Sequence, residues 1–522
     1  MYKLIVIAIG KAVQALASLR GGGSSLPGLV VQKLSPNFAL RILQRLPYGT
    51  VVISGTNGKT TTTKIVTELL QGAGLRVFTN NSGSNFMRGV ISSLLRSVSI
   101  FGRLDADIAV LELDEAHAVD FARRIQPRYT LLLNVMRDQM DRFGEIDYTA
   151  TLLAAVAKNT TEVIVFNRED RRIMAIANAF VGGAEKSDNS TNDSSTSNDE
   201  SDNENRSSKK LASTKSDNSK VLASTKLDSS KVLASTKSDS AKSFSTKKIL
   251  FGLDTSLLAQ FPQDDELYSA ITTTNATDNA TANATDNATN NATAKATTKA
   301  TAKSAGALSC EQVDVCLSAI DDNLVSFTID GQCHRRTLEL RGIYNAYNAA
   351  AALALVRQIL PDGNSAARTQ QLLDVLSKIK SAFGRGETFV INETKVELLL
   401  VKNPGGFRLA LESFSHSGVI NMIAINDDYA DGRDMSWLFD VPFDALRQYG
   451  VQMLSGVRAW DMALRLDYDD VFVAAIQQDL ASALTKFLQI EPASTHRIYC
   501  TYTAMLLIRK LLGNLTLVEK VM

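Results

Sequence analysis

A short β-branched run, Val51-Val52-Ile53, ends at Ser54 and meets the turn Gly55-Thr56-Asn57-Gly58. Lys59 and four threonines follow, then apolar positions at Ile65, Val66, Leu69 and Leu70. The run reads as a buried parallel strand, and the apolar spacing as a helix that Gly72 and Gly74 end. A strand, a glycine turn and a helix N-terminus in that order commit the chain to an α/β layer with an anion site. Backbone N–H groups and the helix dipole both favour negative charge there. Lys59 is placed to reach terminal phosphates and the Thr60 hydroxyl to sit on Mg²⁺. The full phosphate-loop spacing requires a glycine where Ile53 stands, so the loop is a short form. The plain alternative is an ordinary glycine turn before a helix. A lysine followed by four threonines has little packing value at a helix start, which weighs against it.

Strand-like runs recur at 75–79, 107–111, 129–134 and 162–166, with helical stretches between them. Their ends deliver the polar loop 80–85, the carboxylates Glu112, Asp114 and Glu115, and Asn134 with Asp138. Strands alternating with helices predict a parallel sheet covered on both faces, with ligands at the carboxyl ends of the strands. Residues 1–48 read as a helical lead-in, with Leu26-Pro27-Gly28 as a turn between helices. Its start faintly resembles a secretory signal, but the apolar run is short and Lys11 follows at once. A first amphipathic helix is expected instead. No run approaches the ~20 apolar residues that span a bilayer.

From about 185 to 246 the chain collapses into Ser, Asn, Asp, Lys and Thr, with Leu-Ala-Ser-Thr-Lys starting at Leu211, Leu222 and Leu233. A second tract, about 272–304, repeats Asn-Ala-Thr. Both hold too little apolar mass to offset chain entropy and read as a long disordered insertion. Deleting 185–243 is expected to leave turnover at the glycine loop intact. Between the tracts, 249–252 reads as a returning strand. Residues 325–329 and 337–340 read as a hairpin around Gly331. Asn345 and Asn348 lie three apart near the start of an alanine-rich helix, on one face. They suit a base edge or simple capping equally well. After Gly386 come strand-like runs at 396–401 and 419–425, each ending in a polar loop, and a helical stretch at 504–512; these predict a second, smaller α/β domain. The formal net charge of +1 gives no sign of nucleic acid, and the four cysteines form no C-x-x-C pair. Their scatter fits a reducing compartment without a disulfide framework.

Gly55-Thr56-Asn57-Gly58-Lys59-Thr60 resembles the ATP loop of the Mur ligases and folylpolyglutamate synthases. Further stretches narrow the resemblance to the MurT family, the ligase-like subunits of lipid II isoglutaminyl synthase. They are Leu26-Pro27-Gly28, Asn81-Ser82-Gly83-Ser84-Asn85, Leu113-Asp114-Glu115-Ala116, residues 137–145, residues 342–348, Lys402-Asn403-Pro404-Gly405-Gly406 and residues 426–440. The resemblance covers nearly everything outside the low-complexity tracts. It implies a lead-in over 1–48, a Mur ligase-type central ATPase domain with a parallel-rich sheet over 49–384, and a Rossmann-like α/β C-terminal domain over 385–522.

It also implies an activity. ATP phosphorylates the D-glutamate α-carboxylate of the lipid II stem peptide, and ammonia converts the acyl phosphate to D-isoglutamine. The ammonia comes from a separate glutamine amidotransferase subunit, GatD. The implied setting is cytoplasmic, at the inner face of the membrane. By the same resemblance Gly55, Thr56, Asn57, Gly58, Lys59, Thr60 and Thr61 surround the nucleotide, and Thr60 and Glu112 hold Mg²⁺. Asn345 and Asn348 face the adenine, and Arg385 lies near the nucleotide. Lys59 and Glu112 are then catalytic. One acidic residue of the second domain orients the partner's Cys–His pair; Asp434 is the first choice, with Asp431 and Asp440 behind it.

Two departures from wider patterns matter, and they point in opposite directions. Amino-acid-adding Mur ligases carry Asp-His where this chain has Asp138-Gln139, and a carbamylated lysine soon after. Residues 146–157 hold no lysine, and Lys158 comes too late. This favours amidation over an amino-acid ligase of the folylpolyglutamate type. Lys59 and Glu112 weigh against the other rival, a non-catalytic nucleotide-binding subunit, because a pure scaffold needs no Mg²⁺ carboxylate. MurT proteins also usually carry a four-cysteine zinc ribbon. Cys310, Cys316 and Cys333 do not reproduce its knuckles, so no structural zinc is expected. Neither is a glutaminase nucleophile: Cys500 sits in a strand-like setting, where a buried inert thiol is the common case.

Overall fold

The computed structural model describes residues 2–19, 25–80, 86–136, 146–181, 246–261, 310–381, 384–414, 418–492 and 494–516. The polar loop 81–85, the segment 137–145 with Asp138 and Gln139, His416 and the body of both low-complexity tracts lie outside the described residues.

Three helices come first: α1 (Tyr2–Leu19), α2 (Leu26–Leu34) and α3 (Phe38–Leu43). Then strands and helices alternate: β1 (Thr50–Ser54), α4 (Lys59–Gly72), β2 (Val77–Thr79), α5 (Met87–Ser97), β3 (Ile108–Glu112) and α6 (Glu115–Ile125). They continue as β4 (Tyr129–Leu132), α7 (Ile146–Lys158), β5 (Val163–Asn167), α8 (Arg171–Val181) and β6 (Lys247–Leu253). Three further strands, β7 (Val315–Asp321), β8 (Leu324–Ile329) and β9 (Gln332–Thr337), complete a sheet of order β2-β3-β1-β4-β5-β6-β7-β8-β9 among the described residues. Pairing is parallel from β2 to β7 and antiparallel across β7, β8 and β9.

The period of two along each strand divides the core. Val51, Ile53, Ile108 and Val110 face α4 and the alanine-rich helix α9 (Ile343–Ile359); Val52, Ala109 and Leu111 face α3, α5 and α6. All seven side chains are fully buried. Covered on both faces, the strands read as continuous apolar runs. Each buried Val, Ile or Leu contributes roughly 1.5–3 kcal/mol relative to exposure.

After α10 (Ala366–Leu376) the chain builds a second sheet from β10 (Arg385–Ile391), β11 (Thr394–Leu400), β12 (Val419–Ala424), β13 (Met453–Ser455) and β14 (Thr495–Cys500). Its order is β10-β11-β14-β12-β13, parallel except for β10. Helices α11 (Pro404–Phe414), α12 (Asp444–Arg447), α13 (Ala459–Asp467), α14 (Leu480–Phe487) and α15 (Tyr502–Leu512) accompany it. The architecture is the expected one, a large parallel-rich α/β sheet and a smaller α/β sheet.

Four local expectations need correction. Leu26-Pro27-Gly28 is the first turn of α2, not a turn between helices. Proline is tolerated there because its missing N–H has no helical acceptor. A Cβ on Gly28 would fall 1.9 Å from the Arg88 carbonyl oxygen, so the glycine lets α2 pack closely on α5. The hairpin returns earlier than expected, at 332–337; Leu338 and Leu340 leave the ladder and bury in the core. The threonine run does pack, with Thr61, Thr62 and Thr63 all buried on α4. Finally, Cys310 and Cys316 form a disulfide, with Cα atoms 5.5 Å apart. A short helical turn, Cys310–Gln312, lies beside the start of β7 and brings the two together. A spacing of six carries no pairing signal of its own, which is why the sequence suggested none.

Candidate active site

The loop after β1 is held from below by β4. Thr56 N–H donates to the Asn134 carbonyl at 3.0 Å. Asn57 N–H donates to Asn134 Oδ1 at 2.8 Å, and Asn134 Nδ2 returns a bond to the Asn57 carbonyl at 3.1 Å. Gly55 and Gly58 have φ of +132° and +86°. A Cβ on Gly58 would also lie 2.6 Å from Asn348 Oδ1. Both turn geometry and close approach therefore demand glycine there.

Lys59 opens α4 and is buried. Its ammonium donates to the Gly55 carbonyl at 2.6 Å and lies 3.5 Å from Asp114 and 3.4 Å from Glu115. The loop's own carbonyl and two carboxylates thus fix Lys59 Nζ beside the turn. Glu115, in the first turn of α6, is 3% exposed. The sequence placed Asp114 and Glu115 at the strand end without giving them this role. Thr60 Oγ1 donates to Glu112 Oε1 at 2.8 Å. Asn80, at the end of β2, holds the Glu112 backbone on both sides: its Nδ2 donates to the Glu112 carbonyl, and its Oδ1 accepts the Glu112 N–H. Neighbouring parallel strands β1 and β3 thus place Lys59, Thr60 and Glu112 at one carboxyl edge.

The two asparagines of α9 divide their duties. Asn348 is buried against Gly58, while Asn345 Nδ2 bonds back to the Arg341 carbonyl at 2.5 Å. Thr61 is buried one residue beyond Thr60. Arg385, the first residue of β10, brings its guanidinium into the electrostatic field of Glu112. Burial pushes its pKa down, opposed by Glu112 and Tyr502, and its Nη1 is buried without a hydrogen-bond acceptor among the described residues. A buried cationic N–H left unpaired is costly, and an anion beside it removes the cost. Asn403 completes the edge: its Nδ2 donates to Asn57 Oδ1 at 3.0 Å, and Lys402 Nζ reaches the Thr56 carbonyl at 3.4 Å. Nothing in the spacing of residues 402–406 signalled this contact.

The arrangement can cradle a polyphosphate. A divalent cation would find one carboxylate and one hydroxyl. That suits Mg²⁺, which keeps several waters and leans on substrate phosphates. Among the described residues, no three His, Cys, Asp or Glu side chains gather into a self-sufficient metal cage.

The second-domain carboxylates separate by exposure. Asp431 is buried; it accepts from Thr503 N–H at 2.8 Å and from the Thr503 hydroxyl, capping α15, and burial raises its pKa. Asp434 and Asp440 are exposed, and Asp434 Oδ1 accepts the Ser436 N–H at 2.9 Å. Cys500 is buried on β14, and burial drives its thiol pKa far up.

Two family models match the chain: "Mur ligase middle domain" over 53–234 and "MurT ligase C-terminal" over 400–505. The chain is 28% identical to lipid II isoglutaminyl synthase (glutamine-hydrolyzing) subunit MurT of Streptococcus pneumoniae, over 98% of this chain and 97% of that protein. It is 22% identical to the protein of the same name from Staphylococcus aureus, over 89% and 87%. MurF of Acinetobacter baumannii has the same fold, with a TM-score of 0.58 at 14% identity over 94% of this chain and 80% of that one. So does Thermotoga maritima MurF, solved in complex with ADP, with a TM-score of 0.55 at 13% identity over 93% and 83%.

Proposed function

Because the chain is a MurT-type member of the Mur ligase family, we propose that it is the ligase subunit of a lipid II-amidating complex. It uses ATP to activate the α-carboxylate of the stem-peptide D-glutamate. The carboxylate oxygen attacks the γ-phosphorus and ADP leaves, giving an acyl phosphate. Ammonia then attacks the acyl carbon and inorganic phosphate departs with one ammonia proton, leaving the amide of D-isoglutamine. A carboxylate is a poor electrophile; phosphorylation supplies the leaving group.

The observation that carries this reading is the convergence of Lys59, Thr60 and Glu112 on one strand edge, with Arg385 of the second sheet in the electrostatic field of Glu112. Lys59 and Arg385 stabilise charge on the transferred phosphoryl group. Thr60 and Glu112 would hold Mg²⁺, which when bound adds Lewis-acid stabilisation of the phosphate oxygens. Loop residues Gly55 to Thr61 line the triphosphate, Asn348 and Asn345 lie toward the base, and Asn403 ties the second domain to the loop.

Ammonia comes from a glutamine amidotransferase subunit of the GatD type, since the buried thiol of Cys500 suits no nucleophile. Asp434 orients that partner's histidine. Its exposure supports this choice over buried Asp431. The domain limits follow as 1–48, 49–384 and 385–522, with the work done at the cytoplasmic face of the membrane. The test is mass spectrometry of lipid II after incubation with the chain, ATP and ammonium chloride, with and without the partner. Carboxylate-to-amide conversion is expected; its absence in both conditions sinks the proposal.

A further inference from the structure

The first acidic residue of the chain is Glu68. Residues 1–48 contain six basic residues, Lys3, Lys11, Arg20, Lys33, Arg41 and Arg45, and no acid, against a net charge of +1 for all 522 residues. This basic segment forms α1, α2 and α3, which pack on α5. Gly10 allows α1 to close on Val31 and Leu95, and Lys11 Nζ donates to the Leu95 carbonyl at 2.9 Å.

One face of α1 therefore turns inward with Val6, Ile7 and Gly10. The other carries Leu4, Ile5, Ile9 and Leu16, exposed by 43%, 51%, 39% and 62%. Ala8 and Ala12 lie between them and are exposed as well. The outward face has no polar side chain from Leu4 to Ile9, the reverse of a solvated helix. Beside it lies the turn after α5, where Gly102 approaches the Ile7 side chain. The turn exposes Ile100 by 63% and Phe101 by 75%, and Arg103 follows, also exposed.

We propose that this face docks the protein on a bilayer containing anionic lipid. Aliphatic bulk on an acid-free basic layer is the pairing that interfacial helices use: the apolar side chains enter the headgroup boundary while Lys and Arg meet the anionic surface. Neither half suffices alone. Scattered exposed leucines are ordinary, and a basic patch alone binds any polyanion. No described helix is long and apolar enough to cross a membrane, so the contact is with the surface. The inference deepens the reading of a lipid-linked substrate but does not depend on it, because the surface is argued from charge and exposure alone.

The test is cosedimentation of the full chain with phosphatidylglycerol–phosphatidylcholine vesicles and with pure phosphatidylcholine vesicles. Binding to the anionic vesicles is expected to exceed binding to the neutral ones by about tenfold or more. The double variant Ile5→Asp, Phe101→Asp should lose about tenfold or more of that binding, with an unchanged melting curve. A control variant on an exposed residue elsewhere, Phe472→Asp, should bind like wild type. Amidation of a soluble, lipid-free muropeptide should be the same for the double variant and wild type, so failure of docking and failure of the ligase reading are told apart. Equal pelleting of wild type and double variant overturns the proposal. So do absence of binding to anionic vesicles and loss of the amidotransferase partner by the double variant with vesicle binding intact.

Discussion

Two exposed apolar surfaces mark opposite ends of the sequence, and they differ in kind. The amino-terminal one is aliphatic, built on Leu4, Ile5 and Ile9, and residues 1–48 carry six basic residues and no acid. The carboxy-terminal one is rich in aromatics. Trp460, Leu464 and Tyr468 recur at helical spacing, exposed by 62%, 54% and 71%, and Phe439 meets Tyr468 with ring centroids 6.1 Å apart. Residues 427–470 around it hold ten aspartates and four arginines. A bilayer is fluid and anionic, and it accepts aliphatic bulk without demanding a shape. A folded partner rewards rigid, amphipathic aromatics that fit pockets. An acidic surface would repel an anionic bilayer. Apolar exposure alone would have left the two surfaces equivalent; the charge around each separates them. On this account the first meets the membrane and the second, next to Asp434, meets the ammonia-producing subunit.

The sharpest way to break this division lies at the acidic surface. Asp434→Asn is expected to lower glutamine-driven amidation by the complex on the order of 10³-fold or more, as losing a histidine-orienting carboxylate does. Ammonium-driven amidation should stay within about twofold. Equal loss with both nitrogen sources would place the damage at the ligase site, and no loss with either would return Asp434 to ordinary turn capping.

A smaller effect is expected from Trp460→Asp with Tyr468→Asp. Affinity for the partner, measured by calorimetry, should fall by roughly 30-fold or more, while vesicle binding holds. A parallel fall in vesicle binding would merge the two surfaces into one. Raising salt from about 0.1 to 0.5 M shortens the screening length roughly twofold. It should weaken vesicle binding by several-fold and partner binding by less. The smallest effect is on folding. These exposed substitutions should each shift stability by no more than about 0.5 kcal/mol. Gly58→Ala, at φ +86° against Asn348, should cost roughly 1–2 kcal/mol or more by chemical denaturation.

Much of the fold was legible because apolar periodicity is local. The strands carrying Val51, Ala109 and Thr130 are continuous apolar runs, and each was found within a residue or two of its place. Lys59, Thr60 and Glu112 were legible as well, because a glycine turn and a strand end fix where such side chains must go. Contacts between distant segments were not. The Asn57–Asn403 pair joins residues 346 apart, and Glu115 meets Lys59 only because β1 and β3 are neighbours in the sheet. Strand β10 was missed because its outward positions are polar or exposed, so its inward Phe389 and Ile391 stand out only once β11 is beside them. The Cys310–Cys316 pairing depends on a three-residue helical turn that no spacing rule announces.

The central claim is that the loop after β1 transfers a phosphoryl group to a carboxylate. Its most direct measurement compares wild type and Lys59→Ala, each assembled with the partner and supplied with ATP, ammonium chloride and lipid II, with product quantified by mass spectrometry. Ammonium removes the glutaminase step from the comparison, and matched melting curves remove misfolding. The account predicts amidated lipid II from wild type and essentially none from Lys59→Ala. Undiminished product from a folded Lys59→Ala variant would contradict it.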